Sequence, residues 1–372
     1  MGGSQLCDLW VETARRILTA SPEAELAAAF VFGSAAWGDA DETSDVDIVV
    51  LLDRNDDFRQ VTRLRVGELL DKSSPAPRFA DIDRISFERF RAAVAKGTWH
   101  HRVVNSVVLV DDGRYAAIRQ QVSASFDSVK ERARRAGQHV EAARQHQRAT
   151  AQERPGDPSL ALLHARLAAE EAGTAVLEAS GNRLSAAHYF DALNRALAAS
   201  GHGDLVSELQ RALALRCGRG GVQRGLDAYQ VIAEALRRWM EDPTVANALG
   251  PEHVAWARFT YAPESFDEFN EKVGALLQAN RGPEAVAYVD GLVKVPLRMN
   301  VSKVLNLRSN GTTDRMSIAD FHVGLRAEPV LYSHWLEALR LGGTASDIDL
   351  AVDVSGRLLA DLPQVLDAPP TP

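Results

Sequence analysis

Apolar residues recur at helical spacing near the start of the chain, at Leu6, Leu9, Trp10, Ile17 and Leu18, which predicts an amphipathic helix stopping near Ser21-Pro22. From Leu26 the period shortens. AAAFVFGS reads as a buried strand ending on Gly33, VDIVVLL (46–52) as a second, RFADIDRIS (78–86) as a third and VVNSVVLV (103–110) as a fourth. Helical stretches are predicted between them, at 57–70 and 87–95. Strands alternating with helices over this length predict an α/β domain with a mixed sheet, spanning residues 1–113.

After Asp112-Gly113 the texture shifts to Ala, Arg, Glu and Leu. Helical periods fall at roughly 114–149, 158–180, 184–200, 203–217, 222–241 and 264–280, so residues 114–280 read as an all-helical domain. Pro155-Gly156-Asp157-Pro158 and Ser180-Gly181-Asn182 are its clear breaks, with Asp157 and Ser159 as candidate caps of the helix that follows. Residues 281–372 alternate short apolar runs with Gly and match no fold pattern. Within them GGTASDIDLAV (342–352) reads as a strand with an acidic start, and the closing DAPPTP as a disordered tail.

At 46% apolar and 25% charged, the 372 residues have the make-up of a globular protein with a sizeable core. A net charge of -8 argues against DNA or long RNA as the main partner, because such binding rests on clustered Lys and Arg. Only Cys7 and Cys217 occur, too few for a disulfide framework and without zinc-ligand spacing. No run approaches the ~18 apolar residues of a membrane span, and the N-terminus has no signal core, so a cytoplasmic protein is expected.

The chemistry concentrates in FVFGSAAWGDADETSDVDIVVLL. Gly33 permits a tight turn, so that the N–H groups of Ser34 and Ala35 at the next helix start can hold a phosphate, with the Ser34 hydroxyl as a further donor. On the following strand the two-residue period puts Asp45 and Asp47 on one face, with Val46, Ile48, Val50 and Leu52 on the other. Adjacent carboxylates repel, and a hard cation such as Mg²⁺, which bridges to substrate phosphates, offsets them.

Gly33-Ser34, about ten residues, then Ser44-Asp45-Val46-Asp47 in a hydrophobic strand resembles the signature of the DNA-polymerase-β-like nucleotidyltransferase superfamily. That resemblance implies transfer of a nucleoside monophosphate, taken as AMP from ATP, to an acceptor hydroxyl with release of pyrophosphate. Gly33, Ser34 and Ser44 would bind the nucleotide; Asp45 and Asp47, with a third carboxylate, would hold two Mg²⁺ ions. ADIDRISFERF supplies that third carboxylate as Asp81, which the downstream Ser86 and Glu88 favour over Asp83 on the same strand face. Trp37-Gly38 stands where many relatives carry Arg before the second Gly of the loop, which removes one source of positive charge for the triphosphate.

Members that modify aminoglycosides join such a domain to a helical one that lines the acceptor pocket and supplies a general base. That resemblance points to a small-molecule acceptor, an antibiotic or specialised metabolite, and to Glu171 or Glu170 in HARLAAEEAGTAVLEAS as the base. An ordinary salt bridge is the competing reading of that pair. Transfer to a protein or RNA, as in toxin–antitoxin relatives, and a non-catalytic nucleotide-binding module are the alternative functions. His100-His101-Arg102 stands just before the fourth strand, either as a nucleotide contact or as a loop pair without a role. Arg132, Arg134, Arg135, Arg144, Arg148 and Arg154, interleaved with Glu, read as a solvated face. Ser346-Asp347-Ile348-Asp349 echoes the first motif, but three residues after Gly343 leave no room for a phosphate-binding turn.

Overall fold

The structure, a computed structural model, describes residues 3–40, 44–69, 77, 79–182, 188–198, 201–314 and 316–368. The chain separates into two compact units, Met1–Phe126 and Asp127–Pro372. The predicted helix end at Leu70, strand start at Arg78, helix ends at 184–187 and 199–200, and most of the predicted tail, 369–372, lie outside the described residues.

The first unit runs α1 (Gly3–Ala20), β1 (Leu26–Phe32), α2 (Ser34–Trp37), β2 (Val46–Leu52), β3 (Arg59–Arg65), α3 (Val66–Leu69), β4 (Phe79–Ser86), α4 (Phe87–Ala95), α5 (His100–Val104), β5 (Val107–Asp111) and α6 (Arg114–Phe126). Its five strands are ordered β3-β4-β2-β1-β5, with β2 and β4 parallel and the other pairs antiparallel. As the middle strand, β2 is covered on both faces. Val46, Ile48, Val50 and Leu52 pack with Trp10, Ala14 and Ile17 of α1, while Val49 and Leu51 join an aromatic core of Phe30, Phe87, Phe90, Trp99 and Tyr115. The face that carries Asp47 therefore turns apolar one step further on, and only the start of β2 is left for chemistry.

Two predicted elements change type. Residues 59–65, expected to be helical, form the edge strand β3, paired residue by residue with β4 from Arg59↔Ile85 to Arg65↔Phe79. Backbone pairing along seven residues outweighs the weak helical spacing of RQVTRLR. The strand expected over 103–110 is helical up to Val104 and extended only from Val107, because Val103 enters the aromatic core from a helix. A short apolar run fits either geometry.

The second unit is helical throughout: α7 (Val129–Glu153), α8 (Pro158–Ser180), α9 (Tyr189–Ala198), α10 (Asp204–Ala212), α11 (Gly218–Trp239), α12 (Pro243–Leu249), α13 (Pro251–Thr260), α14 (Pro263–Gln278), α15 (Gly282–Leu292), α16 (Arg298–Asn310), α17 (Ile318–Gly324), α18 (Pro329–Ala338) and α19 (Ala345–Asp367). Ser128 accepts a hydrogen bond from Glu131 N at the start of α7, which splits the helix expected over 114–149 into α6 and α7. Asp157 caps α8 through Leu160 N at 3.1 Å. α8 is buried on nearly every side, with α7 and α19 among its main neighbours.

Residues 282–367 complete this same core, with Val354, Leu358 and Leu362 of α19 inside it. The strand expected within 342–352 is instead the start of α19, where Thr344 and Asp347 form a reciprocal capping box and Asp349 pairs with Arg154 at 2.7 Å. The acidic start is a helix N-terminal signal, since carboxylates there satisfy free N–H groups. Nor is the Arg-rich stretch of α7 wholly solvated. Arg132, 2% exposed, donates to the carbonyls of Ala179, Leu366 and Ala368, and Arg135 meets Glu178 at 2.6 Å with both side chains buried. No helix among the described residues is long and apolar enough to cross a membrane.

Candidate active site

β1 runs into the site and β2 runs out of it. Gly33 follows Phe32 with φ 73° and ψ -156°, a conformation costly for any side chain, and a Cβ there would overlap Asp47 Oδ2. Its carbonyl accepts from the N–H groups of Ala36 and Trp37 at 3.1 Å, closing the single turn of α2. Those of Ser34 and Ala35, the first of that turn, have no partner within it. On the opposite wall the Ser44 carbonyl accepts from the buried Trp10 indole at 3.0 Å, which ties the approach to β2 onto α1.

Asp47 lies beside Asp81 in the parallel register of β2 and β4, and Val49 lies beside Asp83. The two candidate third carboxylates thus differ in their surroundings. Asp83 is 7% exposed and held by both arms of Arg59, at 2.9 and 2.7 Å. Asp81 is more open and level with Asp47, and Arg63 reaches it at 3.0 Å and Asp45 at 3.6 Å. Arg63 also stacks 4.9 Å over Phe79. Among the described residues no three His, Cys, Asp or Glu side chains are gathered closely enough to hold a metal ion by themselves. The donors suit a hard divalent cation all the same: Asp47 and Asp81 in register on one sheet face, with Asp45 just before β2, beside a turn whose glycine leaves open the volume a Cβ would fill. Arg63 supplies the compensating positive charge in this arrangement.

The arginines come from elements that the sequence pattern misreads. Arg59 and Arg63, four residues apart on β3, stand on the same sheet face as Asp83 and Asp81 of β4, a signal visible in RQVTRLR only once it is read as a strand. Arg102, on α5, lies 4.6 Å over Phe32 and 4.8 Å over Trp99, within electrostatic reach of Asp47 and Asp83. Burial pulls its guanidinium below the ordinary arginine value, and the two aspartates partly restore it. His100 donates through Nε2 to Val94 O at 3.0 Å, and His101 packs edge-on against Phe126. Glu88 pairs with Arg91 on the surface of α4, away from any such role, while Ser86 is the N-cap residue of that helix.

Glu171 belongs to the second unit, on α8, half-exposed, with His139 Nδ1 at 2.7 Å from its Oε2. That hydrogen bond raises the His139 pKa despite partial burial. Glu170 pairs with Lys294.

Residues 15–88, from the middle of α1 to the first turn of α4, match the family model for the polymerase beta nucleotidyltransferase domain. No curated protein matches the chain.

Proposed function

We propose, from the premise that residues 15–88 form a nucleotidyltransferase domain of the polymerase-β kind, that the protein moves AMP from ATP to a hydroxyl group of a small molecule. An antibiotic or a specialised metabolite is the acceptor class. The observation that carries the reading is the alignment of Asp47 with Asp81 across β2 and β4, with Asp45 joined to Asp81 through Arg63, beside the Gly33-Ser34 turn. A solvated acidic strand start would need neither the third carboxylate in register nor a glycine whose replacement collides with the second.

Asp45, Asp47 and Asp81 would hold Mg²⁺, which neutralises the triphosphate and lowers the pKa of the attacking hydroxyl. What supports Asp81 over Asp83 is that Arg59 already saturates Asp83. The Ser34 and Ala35 N–H groups and the Ser34 hydroxyl bind a phosphate and fix it for in-line attack, and positioning is most of what such a transfer asks of a protein. The acceptor oxygen bonds to the α-phosphorus as its bond to the bridging oxygen breaks, and pyrophosphate leaves. Glu171 is proposed, on the resemblance to the aminoglycoside-modifying members, as the base that takes the hydroxyl proton; its half exposure leaves the carboxylate accessible, while its bond to His139 is the salt bridge of the competing reading.

The test is pyrophosphate release from each labelled nucleoside triphosphate with Mg²⁺, alone and with a panel of aminoglycosides and lincosamides. Release that requires an acceptor, and that Asp47→Ala lowers by roughly a hundredfold or more, is the expected result. Label carried onto protein or tRNA instead would replace the small-molecule acceptor. Nucleotide binding and turnover unchanged in Asp47→Ala would overturn the assignment of the site.

A further inference from the structure

The chain lacks an arginine in the Gly33–Gly38 loop, yet a nucleoside triphosphate brings up to four negative charges to it. We infer that Arg102, which lies over the rings of both Phe32 and Trp99, is the cation that receives the substrate's phosphates in this protein. The inference rests on the nucleotidyl-transfer reading and adds to it a residue outside the matched segment 15–88.

Three observations converge on it. The first is position: Phe32 immediately precedes Gly33, so a guanidinium lying 4.6 Å over its ring is carried by the same strand end that builds the phosphate turn. The second is how the side chain is held. Aromatic rings at 4.6 and 4.8 Å hold the guanidinium in place, and among the described residues Arg102 has no hydrogen-bond or ion-pair partner. A half-buried, oriented fork of free donors matches the geometry of phosphate oxygens, which a guanidinium binds through two parallel bonds. The third is the state of its neighbours. Arg59 spends both arms on Asp83, and Arg63 bridges Asp45 and Asp81. Asp83 and Asp47 attract Arg102 electrostatically and hold the charge at the site, while the hydrogen bonds of Asp83 go to Arg59. A purely structural arginine would close one of those carboxylates, as Arg59 does.

The experiment is calorimetric titration of the full chain with three probes: ATP, tripolyphosphate and adenosine, each in the wild type, Arg102→Gln and Arg102→Lys. Circular dichroism and the melting temperature of each variant report folding. The expected result is a loss of at least tenfold in affinity for ATP and tripolyphosphate in Arg102→Gln, with adenosine unchanged. Arg102→Lys, which keeps the charge and loses the fork, should fall between. Equal tripolyphosphate affinity in wild type and folded Arg102→Gln, with ATP binding intact, overturns the role of Arg102 and leaves the nucleotidyl-transfer reading standing. If Arg102→Gln fails to fold, equal affinity in Arg102→Lys and wild type overturns it in the same way. A wild type that binds neither ATP nor tripolyphosphate overturns both.

Discussion

Asp47 and Asp81 stand in register on β2 and β4, with Asp45 just before β2 and joined to Asp81 through Arg63, and three carboxylates in proximity oppose each other's ionisation unless a cation intervenes. Arg63 is that cation in the structure, in contact with two of the three. A metal ion held there, as proposed, would offset the same charges as Arg63. Arg63→Gln should lower the melting temperature in metal-free buffer, by an amount corresponding to roughly 1–3 kcal/mol for a half-buried charged hydrogen-bond partner. Added Mg²⁺ should recover part of that loss and shift the wild type less. Melts that respond identically to Mg²⁺ in both proteins would show that the two do not compete. Asp45 and Asp47 were legible in the sequence because the glycine turn and the strand period that surround them are local. The choice between Asp81 and Asp83 was not: both point to one face of β4, and what separates them is an edge strand that supplies a partner to each from 18 and 24 residues upstream.

At the scale of elements, the boundaries that local chemistry marks are where the sequence put them. β2 spans 46–52 and α4 spans 87–95 as the pattern predicts, and α8 runs from Pro158, capped by Asp157, to Gly181 in a left-handed C-cap. β3 and α19 were misread because pairing with β4 and a capping box, respectively, decide them. The α7–α8 pair shows why a charge run cannot be read as solvated from composition: α8 is so enclosed that its polar residues must find partners inside. Arg135 and Glu178 are such a pair, 2.6 Å apart with each side chain 4% exposed. Glu178→Ala removes the short-range partner of a buried guanidinium, whose other carboxylate, Glu131, stands at 3.9 Å, and should cost about 3–5 kcal/mol by denaturant melts, whereas Arg135→Met combined with Glu178→Leu should regain most of it. Equal losses in the single and double variants would mean that the pair is not the source of the effect.

The molecule as a whole carries a pH dependence that belongs to the second unit. His146 and His164 approach each other Nδ1 to Nδ1 at 3.0 Å, an arrangement with room for one proton between them, and burial lowers both, His164 to about 4. His322, fully buried, accepts from the Trp335 indole through Nδ1 and is also lowered by burial. Because the folded values lie below the ordinary 6.5, the unfolded chain binds more protons, and stability is present above pH 6.5 and lost as pH falls toward 4. For His164 the ceiling is about 3 kcal/mol. His139, raised by Glu171, acts in the opposite sense and in another window: its contribution is complete below pH 6.5 and fades as pH rises through its raised value. Hydrogen exchange in α7, α8 and α17 should therefore accelerate between pH 6.5 and 5 beyond the intrinsic trend. Protection unchanged over that interval would refute the neutral, buried state of these histidines.

What the sequence by itself determined is whatever depends on neighbours within a few positions: the glycine turn, the period that aligns Asp45 with Asp47, the capped ends of α8, and the α/β and then helical texture. Only the tertiary structure decided which carboxylate stands in register with Asp47, that residues 282–367 close the same core as α8, and that Arg59, Arg63 and Arg102 surround the acidic face. The reason is physical. Turn and cap preferences are set by backbone sterics and short hydrogen bonds, whereas strand register and the partners of a buried charge are fixed by burial and pairing between segments far apart in the chain.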